Sequence, residues 1–259
     1  MATIPPKVLV RFTSGIKKFQ SILKSAEEND INESDTVTIV MDMLAEIFGY
    51  EKYSEITSEL AIKKTYCDLA IKINGEFKFL IEVKAIGIDL KSDYVRQVVN
   101  YGTNQGLDWV ILTNGICWEI FRLTFDKPIK DDLIYEFDIL SLNLKKENEL
   151  ELLYYISKES LGRSALEDYL IERLTLNKFF IGQVLLSEPV IANIRKTIRK
   201  ICPEVKVTAD EIKEVLITDV LRREIFDEEK VNEARKKINK AFKAPIKNEP
   251  QIKLDQPIL

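Results

Sequence analysis

The sequence predicts an α/β fold, in which a helix, an antiparallel meander, a crossover helix and further strands form a mixed sheet, followed by an all-helical C-terminal region. Helix-like and strand-like periodicities alternate before about residue 142. An Asn74-Gly75 dipeptide separates two strand-like runs, and strand signals become scarce beyond residue 143. The 259 residues are 46% hydrophobic, which is enough for a sizeable core.

The α/β part begins with two predicted helices. Apolar residues recur with roughly helical spacing over 10–23 and again over 37–48, where Ser34 or Asp35 can cap the helix and Gly49 can end it. A change to strand periodicity then predicts a three-strand meander, a crossover helix and later strands. Their predicted ranges, in chain order, are 55–60, 66–73 and 77–85, then the helix 92–104, then 109–113, 117–123 and 133–137.

The rest of the chain has helical patterns, and Thr208 with Glu211 three residues later matches a capping box. We expect residues 1–142 to form the α/β domain, 143–245 a helical region, and 246–259 a flexible tail. The helices predicted in this region span 147–156, 165–174, 190–201, 209–223 and 228–242.

The composition excludes several classes of enzyme, because the chain contains no histidine. Ser-His-Asp hydrolases, papain-like enzymes, HExxH metalloproteases, zinc deaminases and His-dependent nucleases all need an imidazole. The three cysteines, Cys67, Cys117 and Cys202, form neither a CxxC pattern nor a disulfide framework. No apolar run is long enough for a membrane span, and we expect a cytoplasmic protein.

Three polar residues interrupt the apolar arms of the predicted hairpin: Asp68 on one arm, Glu82 and Lys84 on the other. A two-residue Asn74-Gly75 loop would place Asp68 opposite Ile81, so that Glu82 would point to the other face. A loop one residue longer places Asp68 directly across from Glu82. The hypothesis of a shared site therefore requires this second register or a compensating bulge.

Two carboxylates that converge on a strand pair form a hard-oxygen site suited to Mg²⁺ or Mn²⁺, neither of which needs His or Cys ligands. Such a metal polarises a phosphoryl oxygen, and a neighbouring lysine can orient water or offset charge on the phosphate. The chemistry that this pattern indicates is phosphodiester hydrolysis, which can proceed without histidine.

Four short motifs follow one another in the same part of the chain. They are Tyr66-Cys67-Asp68-Leu69-Ala70, Leu80-Ile81-Glu82-Val83-Lys84-Ala85, Gln97-x-x-x-Tyr101-Gly102 and Leu112-Thr113-Asn114-Gly115-x-x-Trp118. Together they resemble the N-terminal nuclease domain of type I restriction enzyme R subunits, within the PD-(D/E)xK nuclease superfamily. The closer resemblance is to short stand-alone proteins that carry this domain without a helicase. Cys67 stands where the nominal motif has proline, and the chain has no GxxxxGK[ST] phosphate loop.

The resemblance implies a restriction-endonuclease-like core and a role for each matching position. Asp68, Glu82 and the Val83 carbonyl would bind the metal, and Lys84 would be the catalytic lysine. Thr113-Asn114-Gly115 is expected to be a structural turn at the end of a central strand. The remaining implied site residues are Gln97 and Tyr101, which would position DNA or the scissile phosphate, and Glu46, a further metal ligand on the preceding helix.

We therefore expect a Mg²⁺- or Mn²⁺-dependent endodeoxyribonuclease that acts in restriction or phage defence, with DNA as its partner. Two alternatives stay open: a non-catalytic DNA-binding or assembly protein, and an RNA-directed or housekeeping nuclease. Homodimerisation through the helical region and recruitment by other restriction or defence subunits also stay open. The candidate phosphate contacts in the helical region are Arg195, Lys196, Arg199 and Lys200, together with a second basic cluster at 235–243.

Overall fold

A computed structural model of the chain describes residues 3–62, 65–125, 129–162, 165–226 and residue 238. The chain divides into two compact units, Met1–Leu170 and Ile171–Leu259, which we call the N-terminal and C-terminal units. The predicted α/β class is confirmed, because the N-terminal unit contains a mixed six-stranded sheet together with helices.

The sheet follows the chain in simple order. Two helices, α1 (Pro6–Glu28) and α2 (Glu33–Glu46), precede it, and α3 (Ser92–Gln105) connects its third and fourth strands. These two strands are parallel, as a helical crossover requires, and every other neighbouring pair is antiparallel. The strands are β1 (Ile56–Ile62), β2 (Thr65–Ile73), β3 (Glu76–Val83), β4 (Trp109–Thr113), β5 (Cys117–Thr124) and β6 (Lys130–Asp138).

The start of α2 differs from the sequence prediction. The cap is Asn32, whose side chain accepts a hydrogen bond from the Asp35 N–H at 3.0 Å. Ser34 and Asp35 lie inside the first turn instead. An asparagine caps a helix as well as serine or aspartate does, so this stretch of polar residues offers several equivalent starting points.

The core has two layers, one on each face of the sheet. One layer contains the apolar faces of α1 and α2, and the other lies against α3. Gly102 permits a close approach of α3 to the sheet, since a Cβ atom there would lie 2.5 Å from the Leu123 side chain and 2.7 Å from the Val110 side chain. The closeness of α3 matters for the site, because this helix follows the strand that carries Glu82.

The boundary between the two units lies later than the sequence predicts. Helices α4 (Glu147–Tyr155) and α5 (Lys158–Leu161), with the start of α6 (Ala165–Thr175), belong to the N-terminal unit. Apolar residues of α4 and α6, among them Leu153 and Leu166, are buried in the same core layer as α1 and α2. The expected boundary at residue 142 marked the last strand, whereas the core extends through the helices that follow it.

The C-terminal unit is built from helices in its described part. They are the end of α6, followed by α7 (Lys178–Leu185), α8 (Glu188–Ile201) and α9 (Ala209–Val215), with a π-helical turn at Leu216–Val220 and a 3₁₀ turn at Arg223–Phe226. The predicted capping box at Thr208 and Glu211 is present. The expected helix 228–242, apart from residue 238, and the expected tail 246–259 lie outside the described residues. None of the described helices is both long and apolar enough to cross a membrane.

A pair of like charges on the sheet surface gives a test of the β5–β6 register, because Glu119 stands directly opposite Glu136. Burial first, and then the charge of Glu136, raise the pKa of Glu119 above its ordinary 4.5. Protonation of Glu119 therefore favours the folded state, and this contribution is complete below pH 4.5 and is lost as the pH rises. We expect Glu136→Gln to stabilise the protein at pH 7 by about 0.2–1 kcal/mol and to have no effect at pH 3.

Thermal unfolding at the two pH values measures this effect. Asp131→Asn is the matched control, because Asp131 is exposed on the same strand but stands opposite Leu123. An equal gain from both substitutions would show that the net charge of the protein, and not the cross-strand pair, is responsible.

Candidate active site

The hairpin that joins β2 and β3 contains the bulge that the site hypothesis requires. Its two-residue turn, Asn74-Gly75, has positive φ at both residues, and the register next to it pairs Ile73 with Glu76. A bulge between Ile71 and Lys72 then shifts the pairing by one residue, so that Leu69 pairs with Ile81. Continued by one residue, this register places Asp68 opposite Glu82.

Asp68 is attached to the end of β3 through the backbone. Its Oδ2 accepts a hydrogen bond from the Val83 N–H at 2.8 Å. Burial raises the pKa of Asp68, although the Val83 N–H and the charge of Lys84 oppose that rise. The carboxylate is only half-buried, so it remains accessible from solvent while its position is fixed.

Glu82 is the most deeply buried acid of the site, with 1% of its surface exposed. Burial and the nearby charge of Asp68 together raise the pKa of Glu82 to about 7. One carboxylate oxygen, Oε1, accepts a hydrogen bond from Lys84 Nζ at 2.6 Å. The other, Oε2, is buried without a hydrogen-bond partner among the described residues. An orphaned charged oxygen is costly, and a bound cation would satisfy it.

Lys84 is a buried cation that contacts several groups at once. Its Nζ lies 2.6 Å from Glu82 Oε1 and 3.7 Å from Glu33 Oε2, and 5.4 Å from the centre of the Tyr94 ring. Burial lowers the pKa of Lys84, but the hydrogen bond that Lys84 donates to Glu82 and the charges of Glu82, Glu33 and Asp68 outweigh it and raise that pKa. Lys84 is therefore protonated and can serve as a charge-neutralising donor.

The turn after β4 supports the segment that follows Lys84. The Lys84 N–H donates to the Thr113 carbonyl at 2.8 Å. The Asn114 side-chain amide donates to the carbonyls of Ile86 at 3.3 Å and Ile88 at 3.0 Å. Its oxygen accepts from two backbone N–H groups of its own turn. The structural turn expected from the sequence thus also holds the segment that leads from Lys84 to α3.

Gln97 and Tyr101 lie together on α3, where the Gln97 amide donates to the Tyr101 hydroxyl at 2.9 Å. Tyr101 is buried and Gln97 is half-buried. Among the described contacts, none joins Gln97 to Asp68, Glu82 or Lys84. The α3 residue that does reach Lys84 is Tyr94. The sequence pattern marked Tyr94 only as an apolar position, and its place one turn before Gln97 is the signal that could have identified it.

The structure does not bring Glu46 to the site. Glu46 lies at the C-terminal end of α2, where its carboxylate pairs with Lys18 at 2.6 Å. The first turn of the same helix carries Glu33, which is the acid near Lys84. Thirteen residues at 1.5 Å each separate the two acids by about 20 Å along the helix axis. Glu33 was missed because an acid in a first helical turn is typical of capping and favourable dipole interactions.

The donor set fits a small, hard cation. Asp68, Glu82 and the Val83 carbonyl supply only oxygens, and Mg²⁺ typically binds one or two carboxylates and keeps several waters. The orphaned Glu82 Oε2 points to the same conclusion. Within the described ranges, no group of three or more His, Cys, Asp or Glu side chains is arranged to hold a metal. A cation here would therefore take part of its shell from water or substrate, as Mg²⁺ and Mn²⁺ do.

Comparison with known proteins gives no assignment. No family model, no curated protein and no solved structure matches this chain. The resemblance drawn from the four motifs therefore stays a prediction, and the function rests on the geometry of the site.

The first group of predicted phosphate contacts, Arg195, Lys196, Arg199 and Lys200, lies on α8 in the C-terminal unit. Arg195, Lys196 and Arg199 line one cavity there, and Lys200 does not. The second basic cluster, 235–243, lies outside the described residues apart from residue 238.

Proposed function

We propose that this protein is a metal-dependent endodeoxyribonuclease with a restriction-endonuclease-like core, which hydrolyses DNA phosphodiester bonds in restriction or phage defence. The observation that carries the proposal is the bulge between Ile71 and Lys72, because it places Asp68 opposite Glu82 with Lys84 beside them. The strand order, with α3 crossing between parallel β3 and β4, is the arrangement expected of such a core.

In this proposal Asp68, Glu82 and the Val83 carbonyl hold Mg²⁺ or Mn²⁺. When bound, the metal supplies a Lewis acid for the phosphoryl oxygen and a lowered pKa for a water molecule. Glu82 can bind it through Oε2 while Oε1 keeps its hydrogen bond to Lys84, so the lysine need not be displaced.

Lys84 then neutralises charge that develops on the scissile phosphate, or orients the attacking water. The Lys84 side chain is 10% exposed, and the low dielectric of this buried site strengthens the interaction of its ammonium group with an anion. Tyr94 lies against the ammonium group and limits where it can point. Asp68, which is half-buried, provides the open side from which substrate reaches the site.

The decisive experiment compares two Glu-x-Lys triplets, one at the start and one at the end of β3. Supercoiled plasmid is incubated with the wild type, Lys84→Ala and Lys78→Ala, in Mg²⁺, in Mn²⁺ and in EDTA. Lys78 pairs with Glu76 two residues away, just as Lys84 pairs with Glu82, but near the exposed hairpin turn. We expect nicking only with metal, a loss of about 10²–10⁴-fold in Lys84→Ala, and none in Lys78→Ala.

Each other outcome supports an alternative. If the wild type binds plasmid but does not nick it with either metal, a non-catalytic DNA-binding or assembly role replaces the proposal. Cleavage of RNA with no cleavage of DNA would indicate an RNA-directed nuclease. Equal activity of the wild type and Lys84→Ala would show that Lys84 does not take part in the nicking reaction.

A further inference from the structure

A cavity of about 530 Å³ lies between α8 and α9 in the C-terminal unit, and we call it the α8–α9 cleft. Four cations line it, three from α8 and one from α9, against two acids, so the cleft has an excess of positive charge. The chain as a whole has a net charge of −4, which makes this local excess a departure from the overall composition. The charged lining residues are Arg195, Lys196, Arg199, Lys213, Glu188 and Asp210.

The cleft is held in place by its own backbone and core contacts. The Arg195 Nε donates to the Val207 carbonyl at 2.8 Å, which fixes the guanidinium, and among the described contacts its two outer nitrogens form no hydrogen bond. Ile191, 1% exposed, forms part of the floor, and the capping box at Thr208 fixes the start of α9. Among the described residues, none of the four cations forms an ion pair, so their charges are available to a ligand.

We propose that the α8–α9 cleft binds the phosphate backbone of duplex DNA without reading its sequence. Arg195 and Arg199 are one helical turn apart, a rise of about 6 Å, which is close to the rise of two nucleotides, about 3.4 Å each, along the axis of a DNA duplex. Cations spread along a helix and across a cleft match a row of singly charged phosphates better than one compact anion.

The lining also indicates a duplex and not a single strand. Single-stranded nucleic acids bind largely by stacking of bases on aromatic side chains. The lining residues of the α8–α9 cleft include no Phe, Tyr or Trp. Backbone contacts alone are sufficient for a duplex, whose bases stay stacked on each other. The choice of DNA as the polyanion rests on the proposed nuclease function.

Fluorescence anisotropy of a labelled 20-base-pair DNA duplex with the full-length protein in EDTA tests the cleft without any cleavage. Arg199→Gln and Lys213→Gln remove one lining cation from each helix, and Lys200→Gln is the matched control. Lys200 is adjacent to Arg199, equally charged and exposed, but does not line the cleft. We expect each lining variant to bind several-fold more weakly at about 0.1 M salt, with the slope of log K against log salt smaller by about 1. The control is expected to bind as the wild type does.

Three results would overturn the proposal: no duplex binding by the wild type at low salt, equal weakening by Lys200→Gln, or tighter binding of a single strand of the same length. These results are separable from a failure of the proposed nuclease function. Weaker duplex binding by Arg199→Gln in EDTA would support the cleft even if the wild type cleaved no plasmid, whereas unchanged duplex binding by Arg199→Gln together with metal-dependent cleavage would contradict the cleft alone.

Discussion

Glu82→Gln and Asp68→Asn are each expected to reduce metal-dependent plasmid cleavage by about a thousand-fold or more. Each substitution removes a charged oxygen from the proposed metal site and leaves the size of the side chain unchanged. A metal ion supplies several kcal/mol of transition-state stabilisation, and about 1.4 kcal/mol corresponds to a factor of ten in rate. Rates of nicking over a range of Mg²⁺ and Mn²⁺ concentrations measure the loss.

The unfolding temperature in EDTA separates this loss from damage to the fold. The raised pKa of Glu82 shows that the folded environment disfavours its charge. Glu82→Gln should therefore unfold at the same temperature as the wild type at pH 7.5, or at a higher one. Glu76→Gln, on the same strand but exposed, is the control. It should leave the activity unchanged and, because it removes only an exposed ion pair with Lys78, should change the unfolding temperature little. Full activity in either carboxylate variant would show that these carboxylates do not form the active site.

Asn114→Ala is expected to lower the free energy of unfolding by about 2–4 kcal/mol. The Asn114 side chain is 7% exposed and takes part in four hydrogen bonds, two to carbonyls of the segment after Lys84 and two within its own turn. Each buried partner left unsatisfied costs about 1–3 kcal/mol, and part of the loss is recovered by relaxation and water. Urea unfolding followed by far-UV circular dichroism measures the change.

Asn100→Ala is a suitable control, because Asn100 is exposed on α3. We expect a change within about 0.5 kcal/mol there. Asn114→Asp keeps the oxygen that accepts from the turn but places a carboxylate oxygen against the carbonyls of Ile86 and Ile88, so at pH 7 it should destabilise the protein at least as much as Asn114→Ala. A stability for Asn114→Ala equal to that of the control would show that the segment after Lys84 is held by other contacts.

The order of elements in the N-terminal unit could be predicted because its strong local signals agree with one another. The Asn74-Gly75 turn, the unbroken apolar run that became β4 and the helical pattern between them each allow one interpretation. Burial on both faces explains why β4 shows no alternation, since all five of its residues are buried. These signals act over a few residues, which is the range that a single sequence reveals.

The register of β2 and β3 could be stated only as two alternatives. A two-residue turn and the pairing of Asp68 with Glu82 are incompatible in a straight ladder. The conflict is resolved by the bulge, which leaves Lys78 of β3 unpaired opposite Ile71 and Lys72. The position of a bulge depends on how both faces of the sheet pack. Leu69 and Ile81 belong to the layer with α1 and α2, whereas Ala70 and Leu80 face α3.

Contacts between distant elements account for the remaining differences. The periodicity of α2 shows which face is apolar, but not which end of the helix approaches Lys84, and so Glu46 was expected where Glu33 lies. In the same way, the helical pattern after residue 143 does not reveal that α4 and α5 complete the core of the N-terminal unit. Both depend on three-dimensional packing.

Because of the bulge, the length of the hairpin is a poor criterion for recognising homologues of this protein. Because one unpaired residue restores the alignment of Asp68 with Glu82, the interval between these two positions in the chain can change by one without moving either carboxylate. A homologue with the same two-residue turn and a straight β3, one residue shorter than the strand here, would present the same pair at the same place. Searches for distant relatives of this protein should therefore let the spacing between the aspartate and the Glu-x-Lys triplet take odd as well as even values.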